Sequence, residues 1–434
     1  MEIKFGLSKC YTTLLCVLMF FSLLSPSTLQ FLEIPLLLLL CGIALVHFNL
    51  SHTQIDRRVL VCVAFLVLIN AFFLLEGFLY SDDVRILKQS TVYVFEPIAF
   101  TIILLFATRL INTFNFSRIF FAAIAGITII YVYFIFSFLG VFPPLPPGLL
   151  DILISREQAS VVNYGGDMLS ISLSSEVSLA FLLPYLLTLL LDGKSKDTFA
   201  SWKLWLLFMV GFSVVVAIGR RGIILVVLLV PFLYWLCSAI VAKRLLCKKL
   251  LRSLCVYLVI AATGAGAIFY LSETYNLDLR IMSLDSDVIQ QQSNAWRYIQ
   301  FDALVSEWQD TPFLGAGLGT DVSIVRSEVP GRYELTYVAH LFHVGMVGMA
   351  AYLILLFILF RGLVRILRQQ DQEYGKFVLP TMVGLICYLI DNATNPIIDS
   401  FDGLMMIFYS IGIVNCYSLS HNAQPNATKC SDIV

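Results

Sequence analysis

Charge is what this chain lacks most. Asp, Glu, Lys and Arg together make up 13% of its 434 residues, about half the share of a soluble domain. With 59% hydrophobic residues and a mean hydropathy of +0.87, there is too little polar side chain to clothe a water-facing surface, and a soluble fold is excluded. No basic domain or nucleic-acid module is present, so nucleic-acid binding has no support. The patterns G-x-x-x-x-G-K-[ST], H-E-x-x-H and G-x-S-x-G are missing, which removes P-loop, zincin and α/β-hydrolase chemistry. The glycines at 315, 317 and 319 do not follow a strand, so a dinucleotide fold is not indicated.

What is present is a succession of apolar windows, each long enough to cross a hydrocarbon core of about 30 Å as a helix. Twelve are read: 11–25, 30–48, 59–80, 91–109, 118–140, 173–191, 202–218, 223–242, 253–271, 335–360, 377–391 and 403–418. The fold class expected is therefore an all-α polytopic membrane protein of about twelve transmembrane helices, one integral domain over 1–434. Lys4 and Lys9 before an apolar run imitate a signal peptide, but Leu24-Ser-Pro-Ser-Thr28 is a poor cleavage site and a second span follows at once. An uncleaved first helix is favoured.

Orientation follows from the basic residues. Under the twelve-span count, the loops at 49–58, 109–118, 192–203, 243–252 and 361–376, with both termini, hold 19 of the 28 Lys and Arg. That side is expected to be cytoplasmic. The other side keeps Arg85, Lys88, Arg156, Arg220, Arg221, Arg280, Arg297, Arg326 and Arg332, eight arginines out of nine. Arginine carries the planar fork that grips phosphate through two bonds at once, which lysine cannot; its tolerance of the membrane interface is the other reading of the same imbalance. All ten cysteines fall in spans or on the inner side, so no disulfide framework is expected.

Two outer loops are substantial, 141–172 and 272–334. The second is a polar island between apolar flanks, with Trp296, Ile299, Leu304 and Trp308 at helical spacing and then Pro312-Phe-Leu-Gly-Ala-Gly-Leu-Gly319. It reads as an amphipathic helix lying on the membrane face, followed by a turn. A channel or carrier has little need of such a loop, whereas an enzyme handling a large polar substrate at the membrane surface does. Glu33, Glu76, Glu96, Glu176 and Asp391 fall near the outer ends of their spans and none near an inner end, which favours a hollow, polar outer third over simple interfacial placement. Asp285 with Asp287 and His340 with His343 could be taken for metal ligands. The first spacing is common in polar loops and the second lacks partners, so no metal and no cofactor is assigned.

Gly219-Arg220-Arg221-Gly222 joins two spans with almost no loop, which puts its arginines at the mouth of any outer cavity. In order along the chain, Arg221-Gly222, Arg297, Pro312-Phe-Leu-Gly315-Ala-Gly317 and Gly345-Met-Val-Gly348 resemble the pattern of the O-antigen polymerase (Wzy-type) and O-antigen ligase superfamily. The likeness covers about residues 200–350; beyond them only the topology is similar. In the ligase branch a histidine stands eleven residues before the first glycine of the last motif. Here that position is Glu334, and the resemblance leans to the polymerase branch.

The resemblance implies a metal-independent glycosyltransferase of a bacterial inner membrane, both termini cytoplasmic. It would work at the periplasmic face on undecaprenyl-pyrophosphate-linked oligosaccharides, with a chain-length regulator and a flippase as possible partners. It implies Arg221 and Arg297 as pyrophosphate ligands, Arg220 and Arg280 as weaker candidates, and Glu334 as proton acceptor or orienter of the attacking hydroxyl. An O-antigen ligase acting on lipid A core is the near rival, and a lipid-linked oligosaccharide flippase or transporter the far one.

Overall fold

The structure, a computed structural model, describes residues 2–25, 30–51, 55–81, 86, 89–106, 113–138, 141–143, 146, 160–163, 169–172, 175–193, 201–242, 255, 262, 266, 287–324, 333–369, 375–395 and 400–423. Its helices are α1 (Glu2–Leu24), α2 (Gln30–Ser51), α3 (Arg57–Ser81), α4 (Glu96–Phe100), α5 (Thr113–Phe138), α6 (Glu176–Asp192), α7 (Ser201–Ile218), α8 (Arg221–Ala242), α9 (Asp287–Asp310), α10 (Thr336–Arg368), α11 (Gly375–Asp391) and α12 (Phe401–Ala423). The apolar windows read from the sequence fall on these helices, that at 91–109 only in part, except 253–271, of which only residues 255, 262 and 266 are described. Among the described residues, six helices are long and apolar enough to cross a membrane: Arg57–Ser81, Phe116–Ser137, Ser201–Ile218, Arg221–Val241, Thr336–Arg368 and Phe401–Ser420. Their outward faces are greasy, with Leu68, Leu79, Ile129 and Phe357 each about two-thirds exposed, a surface suited to lipid rather than water. Within the loop expected at 141–172, Ser160–Asn163 pairs antiparallel with Leu169–Ser172, a short hairpin not foreseen from the sequence.

The bundle is organised around α6. A helix apolar on every side must be buried on every side, and in α6 all residues from Ser178 to Leu191 are. It packs chiefly against α11, α8, α5 and α7. Phe120 meets Phe181, Tyr185 and Tyr409 edge-on at centroid distances of 5.7, 5.2 and 5.2 Å, an arrangement aromatic quadrupoles favour. The Tyr185 hydroxyl, which has no water to turn to here, is satisfied by Ser117 at 2.7 Å.

Around α4 the ladder widens into π turns at Thr91–Phe95 and Thr101–Phe106, and proline accounts for the irregularity. Pro97 has no N–H for the carbonyl four residues earlier. That carbonyl, of Tyr93, instead accepts a bond from Asn70 Nδ2 of α3 at 2.7 Å. The Tyr352 hydroxyl of α10 donates in turn to Asn70 Oδ1. A missing backbone donor is thus replaced by a side chain that ties three helices together, the condition under which proline is tolerated among apolar spans.

Candidate functional site

The helix expected in the polar island is α9, and it ends where its sequence stops it. Trp308 Nε1 donates to the Pro312 carbonyl at 3.3 Å, and the chain turns through Gly315, Gly317 and Gly319 at φ of +74°, +90° and +85°. This turn exchanges backbone bonds with α10. Gly345 stands inside α10 at φ 60°, ψ −171° and breaks its ladder. In an unbroken helix the amides of Met346 and Val347 would bond to the carbonyls of Phe342 and His343. Here they donate to Pro312 and Phe313 at 3.0 and 3.1 Å, and the two released carbonyls accept from Ala316 and Gly317 at 2.9 and 2.8 Å. Leu318 N extends the joint to α3 by donating to Phe73 O at 2.8 Å.

The segments approach too closely for side chains. A Cβ on Gly317 would collide with the Gly77 backbone, one on Gly315 with the Phe342 carbonyl, and one on Gly345 with the Phe313 carbonyl. The Pro-x-x-Gly-x-Gly run and the Gly-x-x-Gly run are therefore two halves of one joint. The amides of Ala316, Gly317 and Leu318 point at protein carbonyls, so this turn positions the loop instead of cradling a phosphate.

A small core fastens the loop to the head of α10: Leu304, Ala316, Val322, Tyr333 and Phe342 pack together. The Tyr333 hydroxyl accepts from Val322 N at 2.7 Å and donates to Asp321 Oδ1 at 3.2 Å. Burial pushes this phenol well above its ordinary value, so it stays a donor. His343 is buried, its Nε2 bonded to the Thr320 carbonyl at 3.0 Å, while the ring of His340 lies 4.8 Å from that of Tyr352. The two histidines thus serve separate contacts. Among the described residues no three His, Cys, Asp or Glu side chains are grouped as metal ligands.

With the loop so fixed, Arg297 of α9 reaches Glu334, which lies just before α10. Arg297 Nε donates to Glu334 Oε2 at 2.8 Å, with the side chains 40% and 28% exposed. Two residues that the sequence nominated separately are one ion pair, open to solvent. The bond uses Nε, the side of the guanidinium fork, so its Nη end remains geometrically available to a second anion.

A second polar cluster gathers at the Gly219–Gly222 turn. Arg220 is ion-paired with Glu176, whose side chain is only 8% exposed, and the Tyr131 hydroxyl donates to the other oxygen of Glu176 at 3.1 Å. Arg221 opens α8 and is exposed. Gly222 is held against Asp391 so closely that a Cβ there would strike Asp391 Oδ1. The same oxygen accepts from Asn395 Nδ2 at 3.3 Å, and the Asn395 carbonyl accepts from Thr336 Oγ1 at 3.2 Å. Thr336 is two residues beyond Glu334. The arginine turn and the Arg297–Glu334 pair therefore belong to the same end of the bundle, connected through Asp391, Asn395 and Thr336.

Arg280, like Arg326 and Arg332, lies outside the described residues. Glu33, Glu176 and Asp391, expected beside a wet cavity, are buried in protein; Glu176 is met there by Arg220 and Tyr131, and Asp391 by Asn395 of the turn that follows it. Tyr131, Thr336, Asn395 and the fully buried Asp402, which accepts from Ser178 Oγ at 2.9 Å, were not singled out from the sequence. The polar run Asp391-Asn-Ala-Thr-Asn395 between two apolar windows was the signal available for two of the cluster's members. No family model, curated protein or solved structure matches this chain.

Proposed function

We propose that this chain is a polysaccharide polymerase of a bacterial inner membrane, about twelve spans with both termini cytoplasmic. It transfers a growing glycan from undecaprenyl pyrophosphate onto a new lipid-linked repeat unit at the periplasmic face. The observation that carries the reading is the solvent-open Arg297–Glu334 pair, held beside the Arg220–Arg221 turn by a joint built from the motifs that resemble the O-antigen polymerases and ligases. The reaction has two needs. The sugar–oxygen bond to the pyrophosphate breaks, so negative charge grows on the leaving group. The attacking hydroxyl forms the new glycosidic bond and gives up a proton.

The pair can meet both needs with one displacement. A pyrophosphate outcompetes a carboxylate for a guanidinium, because it offers more charge and a matching pair of oxygens. Docking of the donor on Arg297 and Arg221 thus releases Glu334, and the freed carboxylate takes the proton of the incoming hydroxyl. Charge developing on the leaving group strengthens its bonds to the arginines as the transition state forms. Since the donor brings its own activation, no nucleotide, metal or other cofactor is required. Arg280 is retained as a further candidate ligand, and a chain-length regulator and a flippase as candidate partners.

Purified protein incubated with a lipid-linked repeat unit tests the reading. A ladder of products on a gel is the expected result. Transfer only to a lipid A core acceptor would replace the polymerase with a ligase, and absence of any covalent product would leave a flippase or transporter.

A further inference from the structure

One large cleft of about 1710 Å³ runs along α10, lined from Thr336 and His340 at the loop end to Arg368 and Gln369 at the other. It far exceeds the roughly 300–1,000 Å³ of a small-molecule pocket. Its walls are aliphatic residues of α3, α10 and α12, among them Val63, Leu356, Leu359 and Ile411. At the end remote from Glu334 the lining changes abruptly to Arg57, Arg58, Arg361, Arg365 and Arg368. All five are exposed, and among the described residues none is in an ion pair. Asp56 is the one acid in the lining, and it is committed as the cap of α3, with Arg58 N donating to its Oδ1 at 2.8 Å. The start of α3 adds its own positive partial charge to the cluster.

We infer that this end of the cleft is a binding site for an anionic phospholipid of the leaflet it meets, its phosphates on the arginine cluster and its acyl chains lying in the cleft. A basic pocket between apolar helices is the arrangement that recognises doubly charged lipid headgroups. The two halves of the lining match the two halves of such a molecule. Guanidinium forks suit phosphate oxygens, and a long aliphatic channel suits chains and not a polar metabolite. Arg361, Arg365 and Arg368 project from successive turns of one helix, so they offer a row of contacts for two phosphates in place of a single point. The site rests on the membrane reading alone. It stands at the opposite end of the cleft from Glu334, and its failure would leave the polymerase proposal untouched.

The test uses full-length protein, delipidated in detergent, with tetraoleoyl cardiolipin, dioleoyl phosphatidylcholine or inorganic pyrophosphate added in turn. Thermal unfolding and native mass spectrometry give the readouts. Cardiolipin is expected to remain bound and to raise the melting temperature by about 4 °C or more, while the other two do neither. The triple variant R361A/R365A/R368A should lose both effects, whereas Lys203→Ala, at a basic residue that does not line the cleft, should keep them. Leu356→Trp leaves every charge in place but narrows the channel, and it should also abolish cardiolipin retention. Equal stabilisation by pyrophosphate would mean a soluble-anion site and overturn the inference. So would retention of cardiolipin by both the triple variant and Leu356→Trp, or no cardiolipin effect on the wild-type protein.

Discussion

Replacing Gly317 with alanine is the sharpest probe of how the loop between α9 and α10 is held. At φ +90° a side chain meets the left-handed penalty, about 1–2 kcal/mol. The added carbon also collides with the backbone of Gly77. Backbone on a packed helix cannot swing aside as a side chain can, and overpacking of this kind costs about 1–3 kcal/mol. Together the two effects weaken docking of the loop by about 2–5 kcal/mol, and at tenfold per about 1.4 kcal/mol the undocked population rises by about thirtyfold at the least and about a thousandfold or more at the upper end. Gly319 is the control. It has nearly the same φ, +85°, but its nearest neighbours are the side chains of Ile86 and Gln89 at 3.1–3.4 Å, which can yield. Gly319→Ala should therefore show only the conformational part, about tenfold. Limited proteolysis under conditions where reclosing outruns cleavage reads the open population directly. Cleavage within 311–335 should rise steeply for Gly317→Ala and modestly for Gly319→Ala. Equal sensitivity of the two variants, or wild-type resistance of Gly317→Ala, would refute the backbone joint.

The remaining expectations concern the charged groups. Arg297→Lys keeps the charge but loses the fork, so polymer formation should stay strongly impaired at normal protein abundance; full-length polymer from Arg297→Ala would remove the residue from the site. Because both members of the Arg297–Glu334 pair are partly exposed to solvent, breaking it should cost only about 1 kcal/mol of stability. Glu334→Gln should then melt close to wild type and still bind the lipid-linked repeat, yet make no ladder; near-normal ladders would leave Glu334 as a mere strut for the loop. Arg220→Ala strands a buried carboxylate on Glu176, a loss of about 3 kcal/mol moderated by the partial exposure of Arg220, and should lower protein abundance where Arg221→Ala does not. In a cysteine-depleted background, Ser293→Cys and Ser195→Cys should label from opposite sides of the membrane; reaction of the first only after the inner membrane is breached would invert the topology.

How far the sequence discloses the fold depends on the range of the signal. A span is a local property, written in a run of apolar residues, and the windows at 59–80, 202–218 and 223–242 lie within helices described as Arg57–Ser81, Ser201–Ile218 and Arg221–Ala242. The helix in the polar island was equally legible, from the spacing of Trp296, Ile299, Leu304 and Trp308. The π turns beside Pro97 were not, because their shape depends on Asn70 reaching the Tyr93 carbonyl from another helix. Periodicity carries no trace of a partner that far away.

The site divides along the same line. The sequence pointed to Arg297 and Glu334 one at a time; their meeting depends on α9 being folded back on α10 by the joint, the two residues standing 37 positions apart in the chain. The glycines at 315, 317 and 319 read from the sequence only as a turn after the helix; in the structure the carbonyls of Phe342 and His343 occupy the amides of Ala316 and Gly317, and the turn acts by placing charge elsewhere. That changes what the motif can mean. If its glycines served a phosphate, substitutions would weaken donor binding and leave the loop in place. Since they serve a joint, substitutions should separate Arg297 and Glu334 from the Arg220–Arg221 turn and affect proton removal and leaving-group stabilisation together. A variant of Gly315, Gly317 or Gly345 that weakens donor affinity without loosening the loop would refute the joint and assign these glycines to a phosphate.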